Sequence, residues 1–319
     1  MDGADFLIVR LRSREEALPP VAVPFFIAFL TPHESSDPTL IYRFPGKWGR
    51  LLRYQWLRWR LPLACGAVEC LGSCGTEAVL PFSCEDLSAY TKEEIRDMLH
   101  RIMMEKGAQN IIVDRYLEPY LEKSLHIDGR MMLLLMADDI LRQVCRKHQI
   151  ARRELNLIIV ASGPAETTGL IRKLGSGLNR LTVVTREPEA YQELAREFFE
   201  EEGLLLRVCA RPLSQELYGN VVIELAGCGE EDCYFYRPGS IVLNLSGSRF
   251  RTIQACTCGR NLTCYNSFAI RADGQVWDRR ILQAVIFKTS TWMGCGQLQS
   301  SGKIKEKYGL EVEKTGLET

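Results

Sequence analysis

The stretch LNLIIVASGPAETTGLIRKLG, residues 155–175, decides the fold. Leu157, Ile158, Ile159 and Val160 form an unbroken apolar run, as expected of a strand covered on both faces. Gly163 and Pro164 interrupt it. Behind this turn, Leu170, Ile171 and Leu174 at helical spacing predict a helix. Strand, tight turn and helix is the layout of a dinucleotide-binding unit, in which free N–H groups at the helix start receive a phosphate. The fingerprint GxGxxG is absent. Gly163 and Gly169 stand too far apart for it, and Glu166 brings negative charge to the place where phosphates would sit. Two readings stay open: a turn whose Ser162, Gly163 and Gly169 face a pyrophosphate, or a plain strand-to-helix turn with no ligand.

The pattern repeats on the C-terminal side. RLTVVT, LLLRVCA, NVVIELA and SIVLNLS are further apolar runs without alternation, and PEAYQELAREFFEEEG between the first two is a marked helix. Pro188 stands at its first turn, and Gly203 is placed for a left-handed cap. Strand and helix in alternation predict a right-handed, doubly wound parallel sheet, a Rossmann-like domain over residues 151–250. The link from LLLRVCA to NVVIELA is near the lower limit for a parallel crossover.

Residues 1–150 predict a separate mixed α/β domain on the substrate or interaction side. FLIVRL, VPFFIAFL, LRYQWLRW and EAVLPF are short strand-like runs. Thr91 and Glu94 have capping-box spacing, Ile95, Met98, Leu99, Ile102 and Met103 share one helical face, and Gly107 suits the C-terminal end. NIIVD then reads as a buried strand. Asp128 is placed to cap the following helix, RMMLLLMADDILRQVCRKHQ, whose first half is apolar nearly all round, as for a helix buried between domains. The boundary is expected near residue 150. Residues 251–301, including a helix at DRRILQAVIF, are expected to return and pack on the domains. Residues 302–319 are expected to be a mobile charged tail.

The strand RLTVVT ends at Thr185 and Arg186. A residue there lies beside the adenosine ribose, and an arginine suits a 2′-phosphate, hence NADP rather than NAD. The segment VVTREPEAYQELA resembles the strand-plus-Asn-Arg-Thr segment of shikimate dehydrogenases and glutamyl-tRNA reductases, which bind NADPH. NVVIELAG resembles the strand that precedes the nicotinamide in that family, which would put Gly227 beside the cofactor. HIDGR, residues 126–130, resembles the family's Asn-Thr-Asp-Gly segment, with His126 and Ile127 in place of Asn-Thr. The resemblance spans residues 126–247. It implies that Asp128 assists catalysis at an interdomain cleft, with His126 beside it as a group that titrates near neutral pH.

The function expected is an NADP-dependent dehydrogenase or reductase acting on a small anionic substrate. The alternative is a non-catalytic Rossmann-like protein whose altered turn no longer holds a cofactor and which works through a partner. A second alternative comes from the twelve cysteines. Cys256, Cys258 and Cys264, with Cys228 and Cys233, could gather around zinc or an iron–sulfur cluster, though no C-x2-C pair occurs. The basic–aromatic run RFPGKWGRLLRYQWLRWR could stack single-stranded nucleic acid, but a net charge of zero gives no field to recruit one. No secretory signal is read at the N-terminus, and the longest apolar run is interrupted by Pro24. A soluble cytoplasmic protein with no membrane partner is therefore expected. The oligomeric state is not set by these features.

Overall fold

A computed structural model describes residues 6–11, 64–80, 86–108, 110–114, 116–122, 125–175, 177–178, 180–210, 218–226, 236–246, 262–287 and 301–317. The chain divides into two compact units. The first comprises Met1–Asp128 with Arg280–Thr291, the second Gly129–Arg279 with Trp292–Thr319.

The first unit is built on a four-stranded sheet of β1 (Phe6–Arg10), β2 (Ala64–Cys70), β3 (Ser73–Val79) and β4 (Ile111–Val113), in the order β2-β3-β1-β4. β2 and β3 form a hairpin whose two turn residues, Leu71 and Gly72, both have positive φ. Such a turn matches the twist of the flanking strands. β1 runs parallel to β3 and to β4. Helix α1 (Lys92–Lys106) opens on the expected box: Thr91 accepts from the Glu94 amide at 3.2 Å and Glu94 accepts from the Thr91 amide at 2.8 Å. It ends at Gly107 in the left-handed region. Its buried face, Ile95, Met98, Leu99, Ile102 and Met103, packs with Leu7, Val9, Ile111 and Val113 of the sheet.

The second unit opens with α2 (Arg130–Lys147). Its sheet contains β5 (Leu157–Val160), β6 (Arg180–Thr185), β7 (Leu205–Ala210), β8 (Val221–Glu224), β9 (Ile241–Asn244) and β10 (Thr263–Ala272), in the order β7-β6-β5-β8-β9-β10. All five pairings along this path are parallel, and β11 (Gln275–Trp277) pairs antiparallel with β10. Numbered from β5, the order is 3-2-1-4-5-6, the doubly wound arrangement that the apolar runs predict. Helices α3 (Pro164–Gly175) and α4 (Gln192–Glu202) follow β5 and β6. Every residue of β5, β8 and β9 is buried, which explains their unalternating composition.

Three expectations change. The division falls between Asp128 and Gly129 rather than near residue 150, so α2 belongs to the second unit. The apolar girth of its first half, Met131 to Ala137, is buried, and the helix as a whole contacts α3 and β12 (Glu311–Leu317). The cap position of α2 is held not by Asp128 but by Gly129, at φ 81. The chain enters the helix through a left-handed residue, which places Asp128 outside the first turn. Finally, residues 302–317 are not a mobile tail. Residues 301–317 form α6 (Ser301–Tyr308), preceded in the chain by α5 (Arg279–Phe287), and then β12, which pairs antiparallel with β10. Its charges mislead because Lys305 pairs with Asp139 of α2 and Arg271 of β10 meets Glu313 at 2.5 Å. A polar strand is stabilised by such cross-strand partners as well as by an apolar face. Arg280–Thr291 belongs to the first unit. Among the described residues, no helix is long and apolar enough to cross a membrane.

Candidate functional site

In doubly wound sheets ligands bind outside the carboxyl ends of the strands, where the strand order reverses. Here that point lies between β5 and β8. Three of the strands end there on a polar group. Thr185, Glu224 and Asn244 are the last residues of β6, β8 and β9. All three are buried, Glu224 at 1% exposure. Register places Val160 opposite Glu224, and Glu224 opposite Asn244, so the carboxylate and the carboxamide lie side by side on one face. Asn244 Oδ1 accepts from the amide and the hydroxyl of Ser246, at 3.2 and 2.7 Å. Glu224 and Asn244 were not among the residues expected from the sequence. The available signal was a single polar residue inside an apolar run, in VVIELA and in IVLNLS.

The turn after β5 is closed by the protein itself. Strand end at Val160 and helix start at Pro164 set the fingerprint positions at 161, 163 and 166, occupied by Ala161, Gly163 and Glu166. Gly163 is the surviving glycine, and a Cβ there would meet nothing within 4 Å, so there is room beside the backbone. Gly169 does not belong to the turn; it is buried inside α3, where its backbone is enclosed by the helix. At position 166 the carboxylate folds back over the turn. Glu166 Oε2 accepts from Ser162 Oγ at 2.7 Å and from Arg130 Nη2 at 2.6 Å, and the same Nη2 donates to Leu225 O, just beyond β8, at 2.8 Å. Arg130 thus spans the ends of β5 and β8 at the reversal point. The pair is only 22% and 23% exposed, so solvent screens it less than a surface pair. A pyrophosphate fits this cradle by space and by the guanidinium, but not beside the Glu166 carboxylate.

The turn after β6 is open. Thr185 is buried, and its Oγ1 accepts from the Glu187 amide at 3.1 Å, which fixes the exit of the strand. Arg186 is exposed just beyond it. Tyr191 is fully buried near Thr167 and Thr185, and burial drives its phenol pKa upward.

His126 and Asp128 belong to the first unit. His126 bridges to Ile111 of β4, and its Nε2 is buried with no hydrogen-bond partner among the described residues. Burial lowers its pKa below 6.5; the carboxylates of Glu118 and Asp128 oppose this and the Arg280 guanidinium adds to it. The imidazole is therefore neutral at pH 7. Arg280, which donates to Val113 O at 3.0 Å, arrives from a segment more than a hundred residues away, and no local sequence signal links it to His126. Asp128 is exposed.

Gly227, Cys228, Cys233, Cys256 and Cys258 lie outside the described residues, as do the runs VPFFIAFL and RFPGKWGRLLRYQWLRWR. Among the described residues no group of three metal-ligating side chains gathers. Cys264 is buried, with its Sγ donating to Asn266 Oδ1 at 3.5 Å.

No protein-family model matches the chain. No curated protein matches it in sequence. Solved structures similar to it include the ligand-free 5-ketofructose reductase of a Gluconobacter species, at 9% identity and TM-score 0.31, covering 96% of this chain and 99% of that one. A shikimate dehydrogenase in complex with NADP+ is similar at 11% identity and TM-score 0.33, covering 96% of each chain. A chorismate mutase/shikimate 5-dehydrogenase fusion protein from Clostridium acetobutylicum is similar at 12% identity and TM-score 0.30, covering 98% of this chain and 94% of that one. A doubly wound sheet hosts many unrelated activities, so what this chain does is decided by its own side chains.

Proposed function

We propose that the protein is an oxidoreductase that binds NADP across the carboxyl ends of β5, β6 and β8 and acts on a small anionic substrate. The observation that carries this reading is Arg130, a guanidinium held where the strand order reverses, the place at which this topology receives a dinucleotide pyrophosphate. Arg186, exposed at the end of β6, would take the 2′-phosphate in a planar fork of donors. When bound, the dinucleotide would supply hydride transfer, and the protein would supply binding and orientation. Asp128, which is exposed, would meet the substrate, with the neutral imidazole of His126 two residues before it. Titration of the full chain with NADPH, followed by calorimetry, tests the proposal. Saturable binding supports it, and no heat at millimolar NADPH would sink it.

One observation favours a non-catalytic role. The Glu166 carboxylate stands where the pyrophosphate would lie and repels it. In that case the Arg130–Glu166 pair is a permanent lock between β5 and β8, and the protein works through a partner. If substituting Glu166 by glutamine still gives no NADPH binding, this alternative gains and the oxidoreductase proposal falls.

A further inference from the structure

A cavity of about 350 Å³ lies at the other end of β5, on the C-terminal part of α2 and the turn that follows it. It is independent of the NADP proposal, because Arg130 and the 161–163 turn sit at the opposite end of the same helix and strand, roughly 20 Å along the axis of α2. Such a volume falls within the range of sites for small molecules. Leu141 and Leu155 are buried and, with Ile150 and Ala151, give the cavity an apolar wall.

The polar part of the lining is one-sided. Arg142, Arg146 and Arg152 contribute to it, and no carboxylate does among the described residues. Two of these guanidiniums are already engaged. Arg142 pairs with Asp138 and lies 3.6 Å from Asp139, while Arg152 lies 3.8 Å from Asp138 and donates to Leu174 O at 3.2 Å. Arg146 is exposed, and its guanidinium makes no hydrogen bond or ion pair among the described residues. A single uncommitted fork of donors beside an apolar wall matches a carboxylate carried on an apolar body.

The backbone at the rim points the same way. Helix α2 ends with Gln149 at φ 56, its amide donating to Arg146 O at 3.2 Å and the Ile150 amide to Cys145 O at 2.9 Å. That left-handed position is ordinarily glycine, because a side chain there is strained. The strain places a carboxamide on the cavity lining that glycine would lack. Strained residues concentrate at ligand sites, where the surrounding structure holds them.

We propose that this cavity binds a small amphipathic carboxylate, with Arg146 as its counter-ion, Gln149 as a hydrogen-bond donor, and the apolar tail on Leu141, Ile150 and Leu155. The test is calorimetric titration of the full chain with octanoate and, as its uncharged counterpart, octanol. Octanoate binds to one site and roughly tenfold more tightly than octanol; Arg146→Glu removes that preference. Arg146 and Ala151 are both exposed, so neither substitution threatens folding. Ala151→Trp fills the cavity and abolishes octanoate binding. Alkylation of Cys145, which lines the cavity, slows in the presence of octanoate when followed by peptide mass. The proposal is overturned if octanoate does not bind at millimolar concentration, if octanol binds equally well, or if Arg146→Glu keeps the preference. Full-affinity binding to Ala151→Trp would also overturn it by placing octanoate elsewhere.

Discussion

Two consecutive strand–turn–helix units, β5 with α3 and β6 with α4, share one topology and differ in what their turns hold. The first turn is closed: Glu166 in the opening turn of α3 gathers Ser162 and Arg130. The second is more exposed: Arg186 lies just past the end of β6 and faces solvent. The helices differ likewise. α3 carries a buried amine, Lys173, on its inner side, whereas Glu193, Glu200, Glu201 and Glu202 of α4 are exposed. A parallel sheet sets where a ligand can bind, but one side chain three positions into the helix sets whether that place is positive, neutral or already filled.

The contrast can be strained hardest at Lys173. Burial, with a smaller contribution from Lys305, lowers its pKa from 10.5 to about 7, against the pull of Asp138 and Asp139. Its ammonium donates to Leu135 O. Below pH 7 the amine is charged in both states and the folded state bears the desolvation cost. Between 7 and 10.5 the unfolded chain binds the extra proton, so stability rises with pH through this window. Lys173→Met is expected to be more stable than the parent below pH 7, by a few kcal/mol at most, and to lose that advantage above pH 10.5. Urea denaturation at both extremes reads this directly; a constant difference between the two proteins would show that burial of the amine is not what matters.

The closed turn is broken next. Glu166→Gln removes the resident anion and leaves Arg130 in place, so NADPH affinity should rise about tenfold, while Arg130→Met should lower it by a similar factor. Opposite signs for the two variants distinguish a competing carboxylate from a general loss of structure. Equal losses would mean that the pair serves only to join β5 and β8. At the open turn, Arg186→Ala should reduce the preference for NADPH over NADH several-fold and leave NADH binding as it was. A preference that survives the substitution removes Arg186 from the site.

The smallest effect joins the helices α3 and α4. Arg172 of α3 meets Glu197 of α4 at 2.6 Å, with the two side chains 35% and 36% exposed. Pairs this open to solvent contribute ~0.2–1 kcal/mol. Arg172→Ala should therefore shift the urea midpoint little, and high salt should erase the shift. A loss of several kcal/mol would show that the Arg172 stem over the Phe198 ring, 5.5 Å from its centroid, carries the contact instead.

Much of the second unit was legible because burial on both faces writes itself into composition. LIIV, VVIE and IVLN can serve no other purpose as cleanly as strands inside a parallel sheet. The capping box at Thr91 and Glu94 and the left-handed glycines 107 and 203 were legible for an equally local reason: each requirement is met within a few residues. The candidate site was legible only in part. Ser162, Gly163, Thr185 and Arg186 lie at strand ends, so alternation of elements locates them. Glu224 and Asn244 hid inside apolar runs, and Gly169 was misplaced because its position relative to the helix start depends on where the strand stops. Arg280 lies beside His126 through a return of the chain that no spacing announces.

The sequence by itself determined the local elements and the class of the sheet, since periodicity, caps and turn residues act over a few positions. Only the tertiary structure decided that Glu166 fills its own turn, that α2 belongs to the second unit, and that a charged C-terminus becomes the strand β12. Each of those outcomes depends on partners far away in the chain: Arg130 and Leu225 for Glu166, β12 for α2, and β10 and Asp139 for the C-terminal segment. Charge and apolar pattern state that a side chain needs a partner. Which partner it finds is settled by which elements the fold brings within reach.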